Sequence, residues 1–198
     1  SATISAPETG ATSSSSVPSG EEEPFSTSQQ TAGLTVYWET EEQQGIARLW
    51  LRYAQQEPLF QRMESRGTPV TVYLHVGEGE DTAGWEDGYI LHCYVETEDR
   101  DPVYRDMALL LEEILRQNGR WEQSAAEYRQ YNPNGFIYGN IQEEYVELYF
   151  VSAQGQQSLE ADRLEVWVLV LQNLRSELYG GVAEKFDCLM AEYQRLVM

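Results

Sequence analysis

The sequence predicts an α+β fold in which an antiparallel or mixed sheet carries helices packed on one face. Three observations support this prediction: runs of β-branched and aromatic residues with strand periodicity, apolar stripes with helix periodicity between them, and an N-terminal segment of different composition. The chain has 198 residues, and the part that follows this segment suits one domain built around one core.

The N-terminal segment is rich in Ser and Thr. Residues 1–31 contain 14 Ser or Thr, one aromatic residue (Phe25) and no Lys or Arg. Such a composition buries too little apolar surface to offset the entropy that is lost on ordering. We therefore expect a disordered tether at residues 1–32 and a single α+β domain at residues 33–198.

The domain is predicted to open with a strand at 34–38, where β-branched and aromatic residues cluster. A helix follows from residue 41 and ends near Pro58. One face of this helix is apolar and is formed by Ile46, Leu49, Trp50 and Tyr53.

Two further strands, 70–76 and 89–96, are predicted to pair as a hairpin joined by a long loop at 77–87. A helix then begins near Pro102 and ends at Asn118. Its predicted buried stripe consists of Val103, Met107, Leu110, Leu111 and Ile114.

The second half of the chain suggests a repeat of this order. Residues 144–151 alternate between apolar and polar as a half-buried strand does. Residues 164–171 fit a strand buried on both faces and also a helix ending near Gly180; alternating valines favour the strand. A final helix from Val182 has apolar positions equivalent to those of the helix at Val103. The pattern is therefore compatible with two ββα units in one sheet.

The charge of the chain excludes several partners. The net charge is −20, and the 13 cationic residues, of which Lys185 is the only lysine, form no cluster. Binding to nucleic acid requires such clusters, and anionic membrane surfaces repel an acidic domain. No apolar run approaches the roughly 20 residues that span a bilayer. We expect membrane attachment only through a lipid anchor outside this chain, and Lys185 at the surface.

A Ser/Thr-rich segment at the N-terminus resembles the segment that follows the acylated Cys of bacterial lipoproteins, although this Cys is absent from the sequence. We expect an extracytoplasmic protein, anchored to the cell membrane as a lipoprotein; secretion without a lipid and a cytoplasmic location are the alternatives. Cys93 and Cys188 do not decide between them. We expect two buried free thiols, while a disulfide stays open.

The outer face of the predicted hairpin carries the candidate binding residues. Burying the apolar positions leaves the other face with Tyr73, His75, His92, Tyr94 and Glu96. The two histidines are expected to be diagonal neighbours about 7–8 Å apart. Two histidines and one carboxylate lack the ligand spacing typical of zinc sites. We therefore predict a polar, aromatic binding face and assign no metal or cofactor.

Trp85 lies in the predicted loop and is a further candidate binding residue, because a loop tryptophan can stack on a sugar or anchor a partner. The alternative is that it folds back onto the core. The acidic run 77–81 lacks EF-hand spacing. Motifs typical of hydrolases and phosphate-binding loops are absent from the sequence. No residue is assigned a catalytic role.

Part of the second half of the chain resembles the signature hairpin of the GerM-type sporulation and germination domain of exported bacterial lipoproteins. The resemblance lies in residues 145–150, Gly155, Leu159 and Asp162-Arg163. The element order over 34–118 is also similar to that of the family's ring-building relatives. This resemblance implies a non-enzymatic assembly or interaction role. The start of the domain looks like the opening of extracellular solute-binding proteins, which would imply ligand binding instead.

The leading expectation is a non-catalytic, surface-tethered module that binds a protein or a cell-wall polymer. A small-ligand or solute-binding domain is the alternative, and a cell-wall hydrolase is the third. A closed core with an exposed aromatic patch would favour the module, and an apolar cavity of a few hundred Å³ would favour ligand binding. Converging carboxylates or both histidines in a cleft would favour an enzyme. The oligomeric state stays open.

Overall fold

A five-stranded mixed sheet forms one side of the molecule in the computed structural model, which describes residues 27–31, 33–94 and 100–198. The strands are β1 (Thr27–Thr31), β2 (Leu34–Trp38), β3 (Val70–Leu74), β4 (Thr82–Trp85) and β5 (Tyr89–Cys93). Their order is β1-β2-β3-β5-β4, with the three central strands parallel and both edge strands antiparallel to their neighbours. The predicted α+β fold with a mixed sheet is confirmed.

Six α-helices of the described residues cover the other side. They are α1 (Gln43–Gln56), α2 (Pro58–Ser65), α3 (Arg100–Gln117), α4 (Trp121–Arg129), α5 (Leu159–Leu171) and α6 (Gly180–Val197). Alternate strand residues point into the core between the sheet and the helices, so Val70 and Val72 are fully buried while Thr71 and Tyr73 are half-buried. The predicted stripe of α3 is buried throughout. None of these helices is long and apolar enough to cross a membrane.

The edge strand β1 lies inside the segment predicted to be a tether. It pairs residue by residue with β2, from Thr27 opposite Trp38 to Thr31 opposite Leu34. This pairing uses backbone groups, so the apolar pattern on which the prediction depended does not reveal it. The rest of the predicted tether, residues 1–26 and 32, lies outside the described residues.

The predicted hairpin between 70–76 and 89–96 is wrong. β3 and β5 are parallel neighbours, and the residues between them include the edge strand β4 in a region predicted to be a loop. Side chains alternate identically in parallel and antiparallel strands, so the pattern gave the correct face but not the pairing. β3 also ends at Leu74, two residues before the predicted end of the strand, and Val76 is 47% exposed.

The second ββα unit is not formed. Residues 164–171 belong to helix α5, which begins after Ser158, whose side chain accepts a hydrogen bond from the Ala161 N–H (3.0 Å). Apolar residues lie on several sides of this helix, and its buried stripe includes the charged Asp162 and Arg163, so the helical period is masked in the sequence. Residues 144–151 form no strand either: a short 3-10 helix ends at Tyr145, and Glu147 begins the next turn with a left-handed φ of 71°.

Candidate functional site

Four of the predicted binding residues lie together on the face of the sheet that none of the described helices covers, called the helix-free face below: Tyr73, His75, His92 and Tyr94. The rings of Tyr73 and His92 are stacked (5.3 Å between centroids), and those of His75 and Tyr94 likewise (4.8 Å). His75 Nε2 and His92 Nδ1 are 2.7 Å apart. The predicted diagonal spacing assumed antiparallel pairing, whereas the parallel register brings the two imidazoles into direct contact.

The geometry of this face limits its chemistry. Tyr37, Tyr73 and His92 occupy paired positions on three adjacent strands, and their rings are within 14° of parallel from one neighbour to the next. Rings stacked along a row of strands cover each other's faces. One hydrogen is shared between the two imidazoles, and burial together with His92 lowers the pKa of His75. The stacked ring faces are therefore not a platform on which a sugar could pack.

The other two predicted binding residues do not join this face. Trp85 lies on the edge strand β4 and pairs with Tyr89 of β5, whose side chain is buried in the core. Paired residues share a face, so the Trp85 side chain lies on the helix side of the sheet. Its ring packs edge-on against Tyr89 at 4.7 Å and is 44% exposed. Glu96 lies outside the described residues.

A cleft that the sequence did not predict lies between the first turns of α3, helix α5 and the segment before α5. Its volume is about 770 Å³. Half of its lining is apolar, and the rest includes three charged side chains. The lining residues are Asp81, Pro102, Arg105, Val151, Ser152, Gln154, Ala161, Leu164, Glu165, Val168, Leu169 and Gln172. We call it the α3–α5 cleft.

A hydroxyl–carboxyl contact lies in the wall of this cleft. Ser152 Oγ is 2.9 Å from Glu165 Oε1 and 2.8 Å from Oε2. A hydroxyl carries one hydrogen, so Ser152 cannot satisfy both oxygens fully. Burial raises the pKa of Glu165, although the Ser152 hydrogen bond and the charge of Arg105 oppose the rise. Glu165 thus keeps acceptor capacity for a ligand that donates hydrogen bonds.

Behind Asp81, the structure assembles an acid–thiol cluster of Asp81, Cys93 and Asp106. The potential ligand atoms of these residues all lie within 4.8 Å of one another. Cys93 is fully buried and Asp106 is 2% exposed. Burial, with the hydrogen bond and charge of Asp81, raises the pKa of Asp106 to about 9. Burial also raises the pKa of Cys93 well above its ordinary value, so both groups hold their protons at neutral pH.

Two buried ion pairs hold α5 in place behind the cleft. Lys185 Nζ donates to Asp162 (2.9 Å), which also accepts hydrogen bonds from the hydroxyls of Tyr128 and Tyr138. Arg163 donates to both carboxylate oxygens of Glu112, at 2.6 and 3.0 Å. Lys185 is fully buried, not at the surface as expected. Because these pairs are closed off from solvent, they have a structural role.

Both cysteines are free thiols, as predicted, although Cys188 is only partly buried. Comparison of the chain with protein-family models, curated proteins and solved structures gave no match. The resemblances to GerM-type domains and to solute-binding proteins stay predictions.

Proposed function

We propose that this chain contains the extracytoplasmic, non-catalytic binding domain of an exported lipoprotein, and that it binds a small amphiphilic ligand with an amino group in the α3–α5 cleft. The observation that carries this proposal is the lining of the cleft, which combines an apolar wall with two carboxyl side chains. Clefts of several hundred Å³ with few polar groups are the usual form of small-ligand sites.

The apolar part of the ligand would lie against α5. Leu164, Val168 and Leu169 are half-buried here and contribute to one wall of the cleft. Each methylene group that leaves water for such a surface contributes about 0.8 kcal/mol. A six-carbon chain would thus offset the entropy cost of association by a small margin.

The charges of the site favour a cation. Among the described residues that line the cleft, Asp81 and Glu165 stand against one cation, Arg105, which is exposed to solvent. The net charge of −20 adds a long-range attraction for positively charged ligands. An ammonium group has three donors and could use the acceptor capacity that Ser152 leaves on Glu165.

Support for a non-catalytic role comes from the position of the histidines. His75 and His92 lie on the helix-free face of the sheet, whereas Cys93 and Asp106, next to the cleft, belong to the helix side. Neither imidazole is therefore placed to activate Ser152 as a base.

Ligand-observed NMR titration tests the proposal with two probes of equal length, hexylammonium and hexanoate. We expect hexylammonium to bind with a Kd in the millimolar range, about 4 kcal/mol of binding free energy, and hexanoate to bind at least about 10-fold more weakly. Glu165→Gln should weaken hexylammonium about 10-fold, and Glu122→Gln, an exposed control on α4, should not. Equal binding of the two probes would contradict the proposal.

A second candidate function is an interaction module that binds a protein on the helix-free face. The row of stacked rings across β2, β3 and β5 favours it. Of the two partner classes expected from the sequence, the stacking favours a protein over a cell-wall polymer, because sugars pack on ring faces and these faces cover each other. Pull-down alone would not locate the site, so the test also uses Thr71→Arg, a substitution on the same face of the sheet. This variant should abolish binding of a protein partner and leave the binding of hexylammonium unchanged.

A further inference from the structure

The acid–thiol cluster brings together donors from three separate parts of the fold. Cys93 is the last residue of β5, Asp106 lies on α3, and Asp81 precedes β4. Their ligand atoms lie within 4.8 Å of one another. Tetrahedral zinc with one sulfur and two oxygen ligands needs separations of about 3.3–3.5 Å, given Zn–S near 2.3 Å and Zn–O near 2.0 Å. Small side-chain movements would therefore close the cluster around one ion.

A buried oxygen atom points independently to a ligand. Asp106 is 2% exposed, and its Oδ1 has no hydrogen-bond partner among the described residues. Buried carboxyl oxygens are almost always satisfied, because leaving one unpaired costs about 1–3 kcal/mol. Coordination of a cation would remove that cost.

The surroundings provide an entry route and an orienting contact. Asp81 belongs to the cluster and also lines the α3–α5 cleft, so an ion can reach the cluster from solvent. The Tyr94 N–H donates a hydrogen bond to Asp81 Oδ1 (2.8 Å), which fixes the carboxylate. Hydrogen bonds to ligating groups are typical of protein metal sites.

We propose that Asp81, Cys93 and Asp106 bind one divalent cation of the zinc class. Binding of the ion releases the protons that Cys93 and Asp106 hold in its absence. The resulting thiolate and two carboxylates suit a borderline-soft ion such as Zn²⁺ or Co²⁺. Ca²⁺ and Mg²⁺ are disfavoured because they require six or more oxygen ligands. Three protein ligands leave a fourth tetrahedral position for water or for a group of a bound ligand.

The test is a cobalt titration of the full chain after removal of metals with a chelator, under reducing conditions. We expect one Co²⁺ per chain, with a near-ultraviolet thiolate-to-cobalt charge-transfer band that disappears when Zn²⁺ displaces the cobalt. Cys188→Ser is the matched control and should keep the band, because Cys188 lies on α6 outside the cluster. Cys93→Ser should abolish it. Absence of the band in the parent chain, or its retention in Cys93→Ser, would overturn the site.

A second variant tests the site independently, in case Cys93→Ser does not fold. Asp81 is only partly buried, so Asp81→Asn should keep the parent circular-dichroism spectrum while weakening Co²⁺ at least about 100-fold, since even outer-shell changes cost 10–100-fold. Unchanged affinity in this variant would also overturn the site. The inference does not depend on the amino ligand: cobalt binding without hexylammonium binding would refute the proposed ligand alone.

Discussion

Replacing Lys185 with methionine keeps most of the side-chain volume and removes the one cation among the described residues that contacts Asp162. Asp162 is 1% exposed and, within the described part of the chain, would keep the Tyr128 and Tyr138 hydroxyls as its remaining side-chain donors. Removing one partner of a buried pair costs about 3–5 kcal/mol, because the other charge stays buried without compensation. We expect Lys185→Met to lower the free energy of unfolding by that amount at pH 7.5.

The loss should depend on pH with a defined sign. Burial already raises the pKa of Asp162, and the charge of Lys185 is the largest opposing cause. In Lys185→Met the folded-state pKa of Asp162 rises further above its unfolded value. The folded state then binds a proton that the unfolded state lacks, so stability is lost as pH rises through the folded pKa, by at most about 1.4 kcal/mol per pH unit. The variant should be closest to the parent in acid.

Urea denaturation at pH 5 and pH 7.5 measures both effects. Asp162→Asn/Lys185→Met should recover at least half of the loss, because no buried charge remains. Arg175→Met is the matched control, since it breaks the exposed Arg175–Asp187 pair (43% and 60% side-chain exposure), and its effect should be much smaller. A loss below about 1 kcal/mol in Lys185→Met, or the same loss at both pH values, would refute this reasoning.

Three further predictions concern local features. Ser158→Ala should cost about 1 kcal/mol by removing the N-cap of α5; an unchanged urea midpoint would contradict this. Gly181→Ala should cost about 1–3 kcal/mol, because its Cβ would lie 2.7 Å from the carbonyl oxygen of Tyr131, and a neutral result would show that this contact relaxes. Burial raises the pKa of Cys188 to about 11. In the variant Cys93→Ser, where Cys188 is the remaining thiol, disulfide exchange at pH 8 should be about tenfold slower than with a free thiol and should accelerate with pH. An exchange rate independent of pH would contradict this prediction.

The face assignment of the sheet was predictable because it depends on a local period. Residues at alternate positions of β3 and β5 are buried or half-buried as the sequence indicated, so Tyr73 and His92 were placed on the correct face. The buried stripe of α3 was predictable for the same reason. These features are independent of which strands pair.

The α3–α5 cleft and the acid–thiol cluster were not predictable because both depend on long-range pairing. Asp81 and Asp106 meet Cys93 only because β5 lies between β3 and β4. Glu165 lies in the wall of the cleft because α5 is a helix. The apolar residues on several sides of α5 concealed this helical period in the sequence. Ser158 was the available signal, since a Ser before acidic residues is typical of a helix start.

The most direct test of ligand binding in the α3–α5 cleft is residue-resolved NMR of the isotope-labelled full chain during titration with hexylammonium. We predict saturable amide shift changes centred on Ala161, Leu164 and Val168, with hexanoate producing weaker changes at the same positions. Shift changes centred on Thr71 and His92 would place binding on the helix-free face of the sheet, and changes that do not saturate at any position would contradict a binding site for this class of ligand.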